Sequence, residues 1–155
     1  MNLRILNYML FLKNRPLFLR FIREHGDSRI THHAIGWLRN LSEEAFNKDG
    51  NIVIAVMDGR RLVGLGAVSN YGLNESLAVV HRQYRQKDIG RQLIRAFVDN
   101  LGKFYGRVAL DNIASLKMCF AAGLYGFKLT TGPTGKPTLW VGGGNIDMED
   151  VDMME

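Results

Sequence analysis

Runs of apolar residues of strand length alternate along this chain with stripes at helical spacing, and their order predicts one α/β domain. Residues 3–12 are apolar apart from Arg4 and Asn7 and read as a first strand running into a helix. Residues 15–26 have Pro16 near the start, Gly26 at the end and a mostly apolar interior, which marks a helix. After the break at Gly26-Asp27-Ser28, the spacing of Ile35, Leu38, Leu41 and Phe46 predicts a second helix over about 31–46. Residues 51–57 and 62–68 are two apolar runs joined at Asp58-Gly59, the clearest hairpin signal in the chain. Gly64 and Gly66 in the second run point to a bulge or to a backbone that comes close. Residues 77–80 form the next strand, and Ile89, Leu93, Ile94, Phe97, Val98 and Leu101 then share one helical face. A strand at Val108-Ala109-Leu110, a helix opening near Ser115, and strands at 127–131 and 138–141 around the turn-rich 132–137 complete the chain.

Composition narrows the setting. At 155 residues the chain has the length of one domain with a real core. A single cysteine excludes an internal disulfide, and without a cluster of metal-ligating residues the sequence argues against structural zinc. Both suit a reducing, cytoplasmic compartment. No stretch approaches the roughly 20 apolar residues of a membrane-spanning helix. The N-terminal run, ended by Lys13 and Arg15 with no small-residue cleavage site, is not expected to be a signal peptide.

Charge changes the picture further. All 20 Lys and Arg precede residue 147, whereas Asp147, Glu149, Asp150, Asp152 and Glu155 crowd the last nine positions. With 10 of the 15 Asp and Glu in the body, the body carries +10 and the end −5. Such a body suits a polyanionic ligand, nucleic acid or an acidic protein surface. The segment after Gly142-Gly143-Gly144 is expected to be a mobile acidic tail, so that the domain spans 1–142 and the tail 143–155.

The most informative stretch joins the strand at 77–80 to the helix at 89. Arg85, Gln86, Lys87, Asp88, Ile89, Gly90 and Arg91 form a basic turn that enters a helix, where unpaired backbone N–H groups and the positive end of the macrodipole receive anions. Arg85-Gln86-Lys87-Asp88-Ile89-Gly90, with Val80, Tyr84 and Arg85 as lead-in, resembles the [Arg/Gln]-x-x-Gly-x-[Gly/Ala] pyrophosphate loop of the GNAT superfamily of N-acetyltransferases. Asp88 stands where that family usually has Gly, and it suits the site only if it points away, as a helix cap does. A second segment, 108–124, resembles the family's strand, Asn-x-x-[Ala/Ser], helix, Gly-Phe unit, with Asn112 and Ser115 as the polar pair and Gly123-Leu124 at its end. Asn112 and Ser115 also suit a plain helix cap.

The resemblance implies the GNAT fold, an α/β (α+β) domain with a mixed, mostly antiparallel central sheet of about six to seven strands, one pair of them splayed, and about four helices. It implies acetyl-CoA as co-substrate, with the acyl-pantetheine arm in the splay and no metal. The acceptor is a primary amine on a small molecule or a protein. For the oxyanion, a backbone N–H at Val79 or Val80 is the expected donor. Glu75, just before the thioester-bearing strand, is the candidate base. His32 and His33 are candidates for orienting the acceptor or for the base itself. The family often places a Tyr acid seven residues beyond the Asn; here Cys119 occupies that position, and Tyr125 lies nearby in sequence. The alternative is a non-catalytic relative that binds acyl-CoA, nucleic acid or a protein partner through its basic face, although no nucleic-acid motif is present. The family often dimerises; nothing in this sequence bears on that.

Overall fold

The computed structural model describes residues 1–27, 30, 32–132 and 135–154. The expected start of the second helix at residue 31 and the centre of the 132–137 loop lie outside the described residues.

Asn7 decides the N-terminal architecture. Its Oδ1 accepts from the Leu10 N–H at 2.9 Å, so strand β1 (Asn2–Ile5) stops and helix α1 (Tyr8–His25) begins there. The expected helix from residue 15 is thus longer and runs through Pro16. An interior proline costs about 3 kcal/mol, but burying Phe11, Phe18, Phe21 and Ile22 returns about 2 kcal/mol each. The expected second helix divides into α2 (His32–Asn40) and α3 (Glu43–Phe46). Ser42 caps α3 by accepting from the Ala45 N–H at 3.3 Å, and Arg15 donates to the carbonyls of Arg39 and Leu41, both at 2.7 Å, at the end of α2.

Strands β2 (Ile52–Asp58) and β3 (Arg61–Ser69) turn at Gly59, whose φ of +62° the tight hairpin requires. Strand β4 (Glu75–Val80) extends the antiparallel sheet to the order β1-β2-β3-β4. A second antiparallel sheet has the order β5-β7-β6, built from β5 (Lys103–Ala109), β6 (Tyr125–Thr131) and β7 (Pro137–Gly144). Helix α4 (Ile89–Leu101) connects β4 to β5, and α5 (Ile113–Ala121) connects β5 to β6. One face of the first sheet buries Phe11, Phe18, Leu38, Leu65 and Leu77 with α1 and α2, while the other buries Ile54, Val56 and Val68 against Ile89, Leu93 and Phe97 of α4. Gly64 and Gly66 let α4 lie that close. A Cβ would stand 2.7 Å from Ile89 at the first and 2.6 Å from the Phe97 ring at the second.

β4 and β5 are not paired. The two sheets touch at the 3-10 turn Asn70–Gly72, where Gly72 lies so near the Tyr105 carbonyl that a Cβ would overlap its oxygen; the Gly72 φ is +94°. From there toward Val80 and Ala109 no ladder joins the two strands among the described residues. The α+β class matches the sequence reading and β4 and β5 are its unpaired strands, but among the described residues the seven strands form two antiparallel sheets in place of one mixed central sheet, with six α-helices in place of about four.

The end of the chain differs from the expected mobile tail. β7 runs to Gly144, and a further helix, α6 (Met148–Asp152), buries Val151 against Tyr105 and Trp140. The Tyr105 hydroxyl donates to Asp150 at 2.6 Å and accepts from the Asp147 N–H at 2.8 Å, while Lys103 and Lys128 pair with Asp150 and Asp152. The hydroxyl holds the Asp150 carboxyl below its ordinary range, and burial pushes the Tyr105 phenol up to about 12. The acidic residues therefore neutralise cations of the second sheet, a long-range pairing that no local pattern contains.

Gly72→Ala should lower stability by about 3 kcal/mol, from a side chain at positive φ plus the clash with Tyr105. Urea unfolding measures it; a loss under about 1 kcal/mol would mean that the two sheets are not held at this point.

Candidate functional site

β4 organises the site. Its side chains alternate, with Leu77 and Val79 toward α1 and α2 and Ala78 and Val80 toward α4. Glu75 shares the parity of Leu77, and its carboxylate pairs with Nδ1 of His33 on α2. The Glu75 side chain is 15% exposed and that of His33 83%. Two separate sequence candidates thus become one polar pair, whereas His32 is exposed at the first residue of α2 and takes no part in it. Beside His33 runs a groove lined by Gly36, Trp37, Asn40, Leu41, Ser42 and Ala45.

Backbone alternation decides which amides face the gap. The His81 N–H donates to the Val63 carbonyl at 2.9 Å, and the register sets Val79 opposite Leu65 and Val80 opposite Gly64. In an antiparallel ladder alternate residues exchange both bonds, so Val79, like His81, commits its N–H to β3. Ala78 and Val80 direct theirs away from β3, toward β5. On β5, the Leu110 N–H donating to the Pro137 carbonyl at 3.0 Å sets the same alternation and turns Tyr105, Arg107 and Ala109 toward the gap. Of the two expected oxyanion donors, Val79 is therefore unavailable and Val80 is open.

Beyond Val80 the chain makes a 3-10 turn at Arg82–Tyr84 and reaches Asp88 in the left-handed region, at φ 67° and ψ 16°. Asp tolerates that conformation, which accounts for its place where the resembled loop has Gly. It does not cap α4. Its carboxylate is held instead by the Arg91 guanidinium, with Nε at 2.8 Å, and that guanidinium keeps the Asp88 carboxyl below its ordinary range. Each charge cancels the other at the helix entrance. The amides of Ile89, Gly90 and Arg91 precede the first intrahelical bond, from the Gln92 N–H to the Asp88 carbonyl at 3.1 Å. Gln86 and Lys87 are exposed at the loop tip. Arg85 donates to the His25 carbonyl at 2.7 Å. The Ile89 side chain is wholly buried, and Gly90 packs so closely on Met118 of α5 that a Cβ would overlap its sulfur.

Asn112 caps α5, its Oδ1 accepting from the Ser115 N–H at 3.3 Å, and its side-chain NH2 retains donors at the end of β5. The two candidate acids are not brought to the gap. Cys119 is 5% exposed in the core formed with Ile89 and Leu93, and burial pushes its thiol up to about 11. Tyr125 registers through Gly142 with Tyr105, at the closed end of the splay. About four residues of strand, or roughly 13 Å, separate that level from Ala109 and the Asn112 end. Sequence reasoning also missed His25 at the end of α1, whose ring and carbonyl both hold the loop; its position far upstream carries no local signal. Among the described residues no group of three metal-ligating side chains occurs, and no helix is long and apolar enough to cross a membrane.

The sequence matches no protein-family model and no curated protein. Its structure is similar to solved acetyltransferases of the GNAT fold. A mutant of spermidine N-acetyltransferase SpeG from Vibrio cholerae superposes with a TM-score of 0.64 at 17% identity, over 92% of this chain and 94% of that one. Aminoglycoside acetyltransferase AAC(6')-Ib in complex with coenzyme A and kanamycin gives 0.65 at 15% identity, over 97% and 98%. Ribosomal-protein-alanine N-acetyltransferase from Brucella melitensis gives 0.68 at 15%, over 93% and 99%. The chain has the GNAT acetyltransferase fold over nearly its whole length.

Cys119 should resist alkylation in the folded protein. With its thiol at about 11, roughly one molecule in a thousand is thiolate at pH 8. Labelling with a chromogenic disulfide should wait on unfolding, and rapid native labelling would return Cys119 to the list of site candidates.

Proposed function

We propose that this protein is an N-acetyltransferase that moves an acetyl group from acetyl-CoA to a primary amine by direct attack. The observation that carries this reading is the arrangement along β4. The Glu75–His33 pair stands at its start, on the α2 side, and the uncommitted Val80 amide stands at its end, where the strand enters an anion-receiving helix start. The groove beside His33 is the acceptor entrance on this reading. Spermidine, kanamycin and the alanine of a ribosomal protein, named for the similar structures, all carry amines, and the acceptor here is placed in that chemical class.

The chain's own groups fit the cofactor. An extended arm with amide groups meets two unpaired strand edges, Ala78 and Val80 on one side and Arg107 and Ala109 on the other, with the Asn112 NH2 at the end of the second. Phosphates meet the amides of Ile89, Gly90 and Arg91, with Lys87 at the loop tip. Acetyl-CoA, when bound, supplies the activated acyl group. Glu75 takes the proton of the attacking amine through intervening water, since five residues of strand, roughly 16 Å, separate it from Val80, and His33 orients that carboxylate. The Val80 N–H is a preorganised donor for the oxygen on which charge develops, and as backbone it needs no reorganisation. A thiolate leaving group with an ordinary pKa of about 8.5 departs without a dedicated acid, so the placement of Cys119 and Tyr125 away from the gap does not obstruct the reaction.

Glu75→Gln should lower kcat by about 100- to 1000-fold while leaving coenzyme A affinity and the melting temperature unchanged. Steady-state kinetics on an amine acceptor should be sequential; a ping-pong pattern would contradict direct attack. Asp88→Gly frees Arg91 and removes a negative charge from the helix entrance. It should tighten coenzyme A binding about threefold at low salt and little at high salt, and weaker binding would show that Asp88 shapes the loop rather than opposing the phosphates.

A further inference from the structure

We propose that His25 and His81 form a clamp of two neutral imidazoles that holds residues 82–88 in the shape that receives the phosphates of coenzyme A, and that protonation of the pair loosens the loop. This rests on the reading of the loop as a cofactor site. The rings stack with centroids 4.0 Å apart and an interplanar angle of 29°. Phe21 lies 4.8 Å from the His25 ring, and Tyr84 stands edge-on to His81 at 5.3 Å. His25 ends α1 and His81 directly follows β4, so the stack joins the helix on the acceptor side to the entrance of the loop.

Each ring uses Nδ1 as an acceptor. His25 receives the Arg82 N–H at 3.2 Å, and His81 receives the Gln83 N–H at 3.1 Å. An imidazole nitrogen accepts only while it carries no proton, so both bonds require the neutral ring with hydrogen on Nε2. The His25 carbonyl adds a third tie, from the Arg85 guanidinium at 2.7 Å. Arg82, Gln83 and Arg85 are thereby fixed by two residues that touch neither the gap nor the helix entrance, which makes both histidines positioning residues.

The surrounding charges agree with a neutral pair. Glu24 on α1, 3.8 Å from His25 Nε2, favours protonation, whereas Arg82 and Arg85 of the loop and Arg61 of β3 oppose it. Asp58 of β2 is occupied by the Tyr84 hydroxyl at 2.8 Å. Burial is the largest influence and lowers both histidines below 6.5, and His81 itself depresses His25 further. Unfolded histidines therefore bind protons that the folded clamp refuses. The clamp is intact above about pH 6.5 and is lost as pH falls through the lowered folded values.

The test is calorimetric titration of coenzyme A into wild type, His25→Phe and His25→Asn at about pH 7.5 and about pH 5.5, with amide hydrogen exchange of Arg82 and Gln83 on the same samples. Phe keeps the stack and removes the acceptor; Asn sets a carbonyl oxygen near the Nδ1 position and does not titrate. His25→Phe should weaken coenzyme A about tenfold at the higher pH and speed exchange at Arg82. Wild type should lose more affinity than His25→Asn on acidification, the loss in His25→Asn reporting protonation of the remaining His81 and of the ligand's own phosphates. Equal affinity and equal exchange in wild type and His25→Phe would overturn the clamp, and parallel acid losses in wild type and His25→Asn would overturn the pH dependence assigned to His25. No coenzyme A binding to wild type at either pH overturns the cofactor reading and the ligand half of this inference, while Arg82 exchange still decides whether the imidazoles hold the loop.

Discussion

The contact of Gly72 with the Tyr105 carbonyl governs the architecture around the gap. Asn70 and Tyr71 precede it with φ values of 51° and 59°, an unusual succession for residues with side chains. It is held by the Tyr71 N–H donating to the Gly50 carbonyl at 2.8 Å and by the Lys103 ammonium 4.7 Å from the Tyr71 ring. The turn brings the two sheets together at one end, and α6 fixes Tyr105 from the other side through Asp147 and Asp150. Beyond that point α4 packs on β3 through Ile89 and Phe97, and the backbone edges of β4 and β5 stay unsatisfied by each other. Unpaired amides inside a fold are costly unless something meets them. A ligand with its own amides is the partner that suits them.

β4 serves two purposes because its side chains and its backbone point in different directions. Side-chain alternation gives Glu75 to His33 of α2; hydrogen-bond alternation turns the Ala78 and Val80 amides away from β3. Its C-terminal end then passes directly into a loop whose charges are already matched. Arg91 is spent on Asp88 and Arg85 on the end of α1, so on the proposed reading the phosphates are met by the backbone and Lys87 more than by a concentration of free guanidinium groups.

The local signals that proved sound are those whose physics is local. The Asp58-Gly59 hairpin, the strand–loop–helix of 77–101 and the cap at Asn112 depend on neighbours a few residues away, and pattern and turn chemistry were enough to find them, whereas Gly64 and Gly66 signalled a close approach without naming its partners, Ile89 and Phe97 of α4. Asn7 and Ser42 were equally visible as capping residues. Asn7 lies within an otherwise apolar run and Ser42 within the span of one expected helix, and only packing of Phe11 and Phe46 decided that helices start there.

The sequence by itself determined the fold class, the succession of strands and the start of α4 at residue 89, since hydrophobic period, turn residues and the N–H groups of a first turn are properties of short stretches. Tertiary structure alone decided the rest. Glu75 meets His33 across 42 positions, and the acidic end of the chain pairs with Tyr105 and Lys103 instead of trailing free. Cys119 falls inside the core, Tyr125 at the closed end of the splay, and Val80 rather than Val79 holds the open amide. The side taken by Glu75 and the amide left open at Val80 depend on strand register, and a one-residue change of register would reverse both, while Cys119 and the acidic end depend on how α5 and α6 pack.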